Sequence, residues 1–358
     1  MAWSYAHRRA EIAEEVGYVT GSRVFAAPLE VFEIAQFRTG LAIGVVALVV
    51  GAVVGGLARV TPLRRPPPLA GVLVAGAGLV ALERTETVPA ELFLAIGLLG
   101  AIGFVADALP GSWWMVVVPP AGLAAWWLSQ EAFGPSTTEG GGCACLFVMD
   151  RAWIDEAVSA TVLVGGGLAA AFQRRWRSTG LSTPLVPISL LGVYFTVPDT
   201  EQAAAVLGAT ALLVLLGWPW GLLALGVGGA FASIGLLSWV AVVGGVGRAG
   251  SIVGALGCLG LLAVEPVGRL LAGGRSPLEL IPVRLRTPVT ALVHLGLVFV
   301  ASRIAGLQEE AGDAARIIVV AGAVAVAASA GGGWLVRVRD RRVAPSSPVD
   351  DHAASAAS

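Results

Sequence analysis

Residues 40–58 read GLAIGVVALVVGAVVGGLA, and Arg59, Arg64 and Arg65 follow directly. A hydrocarbon core of roughly 30 Å takes about 20 apolar residues of helix to cross, and this stretch meets that length without a charge. It reads as a helix rather than a strand, because backbone groups in lipid need partners within their own segment unless a barrel closes, and the stretch has no period-two alternation. The pattern of apolar run and arginine cluster then recurs, with further clusters at 174–177, 269–286 and 337–342.

The whole chain has this character. Its 358 residues are 56% hydrophobic and only 13% charged, with a mean hydropathy of +0.81. Soluble domains carry roughly 25% charged residues, so the composition excludes a water-soluble fold. The expected fold class is all-α: a polytopic integral membrane helix bundle of about 11 transmembrane helices. The segments are Gly40 to Ala58, Pro68 to Leu82, Glu91 to Ala108, Ser112 to Ser129, Trp153 to Phe172, Pro184 to Val197, Glu201 to Gly217, Trp218 to Val246, Ser251 to Ala272, Pro288 to Leu307 and Ala315 to Val336. Residues 1–39 form an N-terminal tail, 40–343 the transmembrane domain and 344–358 a C-terminal tail. The last is rich in Ser, Ala and Pro and is expected to be disordered. Residues Arg23 to Phe37 mix apolar side chains with charges, as either a helix on the membrane surface or a lead-in to the first span would.

Taken in order, these segments put every arginine-rich loop on one side, which the positive-inside rule assigns to the cytoplasm. The opposite loops hold Glu83, Glu86 and Glu91, then Glu131, Glu139, Asp150, Asp155 and Glu156, then Asp199 and Glu201, then Glu309, Glu310 and Asp313. The C-terminus is therefore expected inside and, for an odd number of spans, the N-terminus outside. Trp113, Trp114, Trp218, Trp220 and Trp334 fall at inner ends, and Trp126, Trp127 and Trp153 at outer ends, as aromatic belts require. No cleavable signal peptide is visible, because no apolar core follows the early arginines. Basic residues that are all arginine, in a chain rich in Ala and Gly, point to a bacterium and hence to its plasma membrane.

Internal order is suggested by three units that begin at Pro68, Pro184 and Pro288, each after arginines. The first two reach a Thr-Val-Pro turn, Thr87 to Pro89 and Thr196 to Pro198, followed by acids. This reads as parallel internal repeats in a 4+4+3 arrangement, although hydropathy alone produces similar resemblances. Small residues four apart, Gly40 with Gly44, Gly51 with Gly55 and Gly250 with Gly254, would let helix backbones approach closely.

Chemistry is limited by what is missing. The chain has no lysine, which excludes a Walker A loop and a Schiff-base enzyme. Gly245, Gly247 and Gly250 match a dinucleotide fingerprint, but they join two apolar segments instead of a strand and a helix. No nucleotide, nucleic acid or cofactor is expected. Three cysteines and three histidines show no zinc spacing, so no metal is expected either. Cys143 and Cys145 lie in an outer loop, as free thiols or as disulfide partners, and Cys258 reads as a small packing residue.

Charges within spans cost at least about 2.5 kcal/mol each and therefore mark candidate sites. Glu265, Arg269, His294 and Arg303 are these residues. At about 1.5 Å per residue Glu265 and His294 share a depth near 10 Å and could meet. Glu265 and Arg269 are also placed for an ion pair one turn apart, and Arg303 for snorkelling to the surface. Glu83, Glu86, Asp199 and Glu201 would line an acidic outer entrance that attracts cations. Asp199 alternatively caps the next helix together with Gln202.

Two functional classes follow. One is a secondary transporter or channel-like protein for a small cationic or proton-coupled solute; the other is a non-enzymatic membrane scaffold or assembly partner. The absence of a catalytic motif disfavours an enzyme. The expected partners are the lipid bilayer and, beyond it, a second copy or other membrane proteins.

Overall fold

The computed structural model describes residues 31, 34–60, 68–85, 88, 90–108, 120–124, 157–168, 170, 184–197, 200–219, 222–245, 249–305 and 311–343. Among them every regular element is helical. In chain order these are α1 (Ala35–Val60), α2 (Ala70–Thr85), α3 (Ala90–Ala108), α4 (Ala157–Leu168), α5 (Leu185–Thr196), α6 (Glu201–Gly217), α7 (Gly226–Gly244), α8 (Ala249–Gly260), α9 (Val264–Leu271), α10 (Val283–Ala305) and α11 (Ala311–Val343). Five of them, α1, α3, α7, α10 and α11, are long and apolar enough to cross a membrane, and the bent pair α8 and α9 makes a sixth if taken as one span. The chain is thus a helical protein with multiple membrane-capable helices. The Cys143 to Asp150 loop, Glu86, Asp199 and residues 344–358 lie outside the described residues.

At the centre is α7, of whose span window 94% is buried. Its sequence opens Gly226, Val227, Gly228, Gly229. Gly228 lies against Gly100 and Gly103 of α3, while Gly229 lies against Gly71 of α2. A side chain at either glycine would run into backbone, so the adjacent pair lets α7 wedge between two helices at once. Gly226 turns the chain into the helix with φ +76°, and Asp107 of α3 accepts a 2.8 Å hydrogen bond from the Val227 amide. That bond satisfies one of the amides left open at a helix start.

Direction can be read from glycine contacts. Gly40 faces Ala205, Gly44 faces Gly208 and Ala209, and Gly51 faces Leu216, so α1 and α6 run side by side in the same direction. By the same reading α2 is parallel to α7, through Gly71 with Gly229 and Gly78 with Leu236. The α8 and α9 pair is parallel to α11, through Gly257 with Ile318 and Gly268 with Ser329. Antiparallel pairs are α3 with α7 and the hairpin of α1 with α2. Arg59, Arg269, Arg284, Arg286, Arg337, Arg339 and Arg341 consequently gather at one end of the bundle, and Glu83, Glu201 and Asp313 lie at the other together with Arg38, Arg84, Arg303 and Arg316.

Several boundaries differ from those the hydropathy suggests. The first helix starts at Ala35 instead of Gly40, because Phe37 packs into the core and Gln36 reaches Glu201 across to α6. Helix α10 starts at Val283 and carries Pro288 inside it. The segment Ser251 to Ala272 is broken at Leu261–Ala263, and its two halves bend by 58°. Pro266 explains the break: it has no amide to donate to Leu262, and its ring crowds that carbonyl. Thr200 stands before the first residue of α6 and makes no side-chain cap bond; Gln202 is buried in the bundle, and the capping box expected of Asp199 and Gln202 falls on a residue outside the described ones. Helix α11 is 33 residues long; at about 1.5 Å per residue it spans roughly 50 Å and overhangs a bilayer core.

Candidate functional site

The polar groups within the apolar bundle concentrate where α5, α8 and α10 meet. On α5 the residues Ser189, Gly192, Val193 and Thr196 are buried, a spacing of three and four that aligns them on one face. On α10 the buried face is Thr287, His294, Val298, Ala301 and Ser302. Helix α8 contributes Ser251 and Cys258 from its own buried face. The three faces close on one another because Gly192 leaves room: a side chain there would meet Val298 and Cys258.

Ser189 Oγ and His294 Nε2 are 3.2 Å apart and buried. A serine hydroxyl can donate or accept, and an imidazole nitrogen can do either according to its tautomer, so the pair holds a proton in either direction. Two turns along α5, the Thr196 hydroxyl donates to the Gly192 carbonyl at 2.6 Å. Cys258 is fully buried, in keeping with a packing role.

The same two helices carry Arg303 toward the acidic end. Its guanidinium carbon lies 4.5 Å from the centre of the Phe195 ring and 5.2 Å from that of Phe299. The two rings meet edge to face at 5.7 Å, and Tyr194 adds a further edge contact to Phe195 at 5.5 Å. Attraction to a ring face is worth about 0.5–2 kcal/mol and grows as water is excluded. Arg303 is therefore held by aromatic surfaces and does more than snorkel outward.

Of the four ionisable residues singled out within spans, the structure places His294 and Arg303 along one contact and leaves Glu265 and Arg269 at another. The latter two are half-buried on α9, which packs chiefly against α11. The bend at Leu261–Ala263 breaks the straight helix on which a common depth with His294 rested. No hydrogen bond or ion pair joins His294 to Glu265 among the described residues, nor Glu265 to Arg269. At the outer end Glu83 is exposed on the last turn of α2, and Glu201 accepts a 2.9 Å hydrogen bond from Gln36.

Sequence inspection overlooked Ser189, Thr196, Asp107 and the central polar atoms of α7. Ser189 and Thr196 are seven residues apart, a helical repeat that could have identified them. Asp107 carried no local sign, since its partner is a residue far along the chain. In α7, Ser233 Oγ, Ser238 Oγ and Trp239 Nε1 are buried without a hydrogen-bond partner among the described residues. No three His, Cys, Asp or Glu side chains gather as a metal site would require, among the described residues. Gly245 follows α7 and Gly250 lies in the first turn of α8, so these two fingerprint glycines join helices and not a strand and a helix; Gly247 lies outside the described residues. Compared with known proteins, no family matches the chain and no curated protein matches it.

Proposed function

We propose that the chain is a multi-pass protein of the bacterial plasma membrane that works as a secondary transporter or channel-like protein for a small cationic or proton-coupled solute. The observation that carries this reading is the buried Ser189–His294 pair, formed between parallel helices and beside a broken span. Intramembrane histidines with partners on other helices are the stock of proton relays, and discontinuous helices are where transporter sites are commonly built. The unpartnered Ser233, Ser238 and Trp239 atoms add hydrogen-bonding capacity in the middle of the bundle. Glu83 and Glu201 are exposed at the end away from the main arginine cluster, where they would attract cations beside Arg38, Arg84 and Arg316.

The proposal includes about 11 spans with the C-terminus inside and the N-terminus outside, and parallel repeats in a 4+4+3 order, with which the helix directions are consistent. Helices α2, α5 and α10, which head the three units, all run from the arginine end, and α3 and α6, which follow the first two, both run back toward it.

Proteoliposomes test the function. An imposed pH gradient should drive proton or monovalent-cation flux above that of empty vesicles, and His294→Gln should remove its pH dependence while the protein still folds and inserts. Vesicles no leakier than empty ones, with either ion, would reject transport. The alternative is a membrane scaffold or assembly partner, and a specific observation favours it: α7 is sealed by backbone-level glycine contacts with α2 and α3. That reading gains if vesicles are tight and His294→Gln alters only stability.

A further inference from the structure

At the arginine end, residues 269–286 and the last turns of α11 form a corner that the helix count alone does not require. The chain leaves α9, turns through Gly273 and Gly274 with φ of +66° and +90°, makes a short 3₁₀ turn at Pro277–Leu280, and enters α10. This corner is fastened to α11 at several points. Arg337 Nη2 donates to the Gly273 carbonyl at 2.8 Å, and Arg275 bridges Glu279 at 3.2 Å and Asp340 at 2.9 Å. The Ser276 side chain and Glu279 form a reciprocal capping box, and Ser276 and Leu278 are buried. Gly332 and Gly333 of α11 lie against Pro277, Ala272 and the Arg275 carbonyl, so the corner seats on the helix without intervening side chains.

Its surface combines two properties. Arginines at 269, 275, 284, 286, 337, 339 and 341 face only two acids in these segments, Glu279 and Asp340, and both acids are engaged by Arg275 or Arg339. Arg284, Arg339 and Arg341 are exposed. Among them Leu270, Leu271, Leu280, Val283 and Leu285 are exposed as well, with Trp334 on the adjoining face of α11. Exposed leucines beside arginines, at the end of membrane-capable helices and at the level of a tryptophan, suit a place where acyl chains meet headgroups.

We propose that this corner binds the headgroups of anionic phospholipids, the arginines taking the phosphate and the leucines the upper acyl chain. Arginine suits the task because its planar fork bonds phosphate oxygens in pairs. The leucines distinguish a lipid from a free phosphate, which would have no use for them.

Native mass spectrometry of the full chain, released from vesicles of phosphatidylcholine doped with phosphatidylglycerol, tests the proposal. The wild-type protein should retain phosphatidylglycerol in preference to phosphatidylcholine. Each exposed arginine at a charged surface contributes about a factor of five, so the combined variant Arg284→Gln, Arg339→Gln, Arg341→Gln should lose on the order of 100-fold in relative affinity. Arg316→Gln, at the opposite end, should retain the lipid. Should the triple variant fail to fold, the single substitutions, each expected to lose about fivefold, carry the test. Equal retention of the two lipids, unchanged retention in the arginine variants, or an equal loss in Arg316→Gln would overturn the proposal. Complete competition by inorganic phosphate would overturn the lipid assignment in favour of a phosphate site.

Discussion

The α1–α6 and α5–α10 contacts are both parallel helix pairs, yet they are closed by opposite means. Along α1 and α6 the facing residues are Gly40, Gly44, Ala205, Gly208 and Ala209, and backbone lies on backbone. Along α5 and α10 they are Ser189 with His294, Gly192 with Val298, and Phe195 with Phe299 and Arg303, so that side chains hold the helices together. Between helices in lipid, small residues permit close van der Waals packing, and a polar pair needs space for its own atoms. The first contact leaves no volume for chemistry; the second holds the buried histidine of α10.

By that contrast the largest effect should come from the tight pair. Gly40→Ala or Gly208→Ala places a methyl group against the backbone of the neighbouring helix and should cost about 3 kcal/mol, read as a lower unfolding midpoint in detergent micelles. Gly76→Ala, whose added methyl group meets nothing within 4 Å, should change stability by less than about 1 kcal/mol, toward greater stability. Equal midpoints for Gly40→Ala and Gly76→Ala would erase the distinction between the two interfaces.

The polar pair should respond less, and in a coupled manner. His294→Ala leaves the buried Ser189 hydroxyl without this partner and should cost about 2 kcal/mol. A double-mutant cycle of His294→Ala with Ser189→Ala should give a coupling of about 0.6 kcal/mol, the average for side-chain hydrogen bonds between membrane helices. Strict additivity would show that the two side chains are neighbours without interaction.

Smaller effects test the boundary of the contrast. Asp107→Ala removes the acceptor at the start of α7 and should cost about 1 kcal/mol, with Asp107→Asn losing less because a neutral acceptor remains. Replacing Arg303 by Met, which keeps the packing and removes the charge, should cost about 0.5–1 kcal/mol through the lost attraction to Phe195 and Phe299. Arg316→Gln breaks only an exposed pair with Asp313 and should stay within about 0.5 kcal/mol.

Part of this was legible in the residues. Gly40 and Gly44 are four apart and lie in a close interface, as their spacing suggests. Gly51 and Gly55 are also buried, Gly51 against the Leu73 and Leu216 side chains and Gly55 against the Leu222 side chain and backbone, so the same spacing marks a contact made partly by side chains there. His294 stood out as an ionisable residue in an apolar run, whereas Ser189 did not, because serine is unremarkable in a helix until its partner is known. The bend that carries Glu265 away from the line of α8 was present in the sequence as Pro266, within a run otherwise apolar enough to look continuous.

By itself, the sequence determined the class of the molecule. Apolar runs of membrane length, scarce charge and clustered arginines leave helices as the only way to satisfy backbone groups in lipid, and that follows from local composition. Only the tertiary structure decided which helices touch, and hence which polar residues share a site. Ser189 and His294, or Asp107 and Val227, are more than a hundred positions apart, and no periodicity within one helix encodes which face of another it will meet. Those pairings were settled by where glycines admit a neighbouring backbone and where proline breaks a helix, which are properties of the packed bundle.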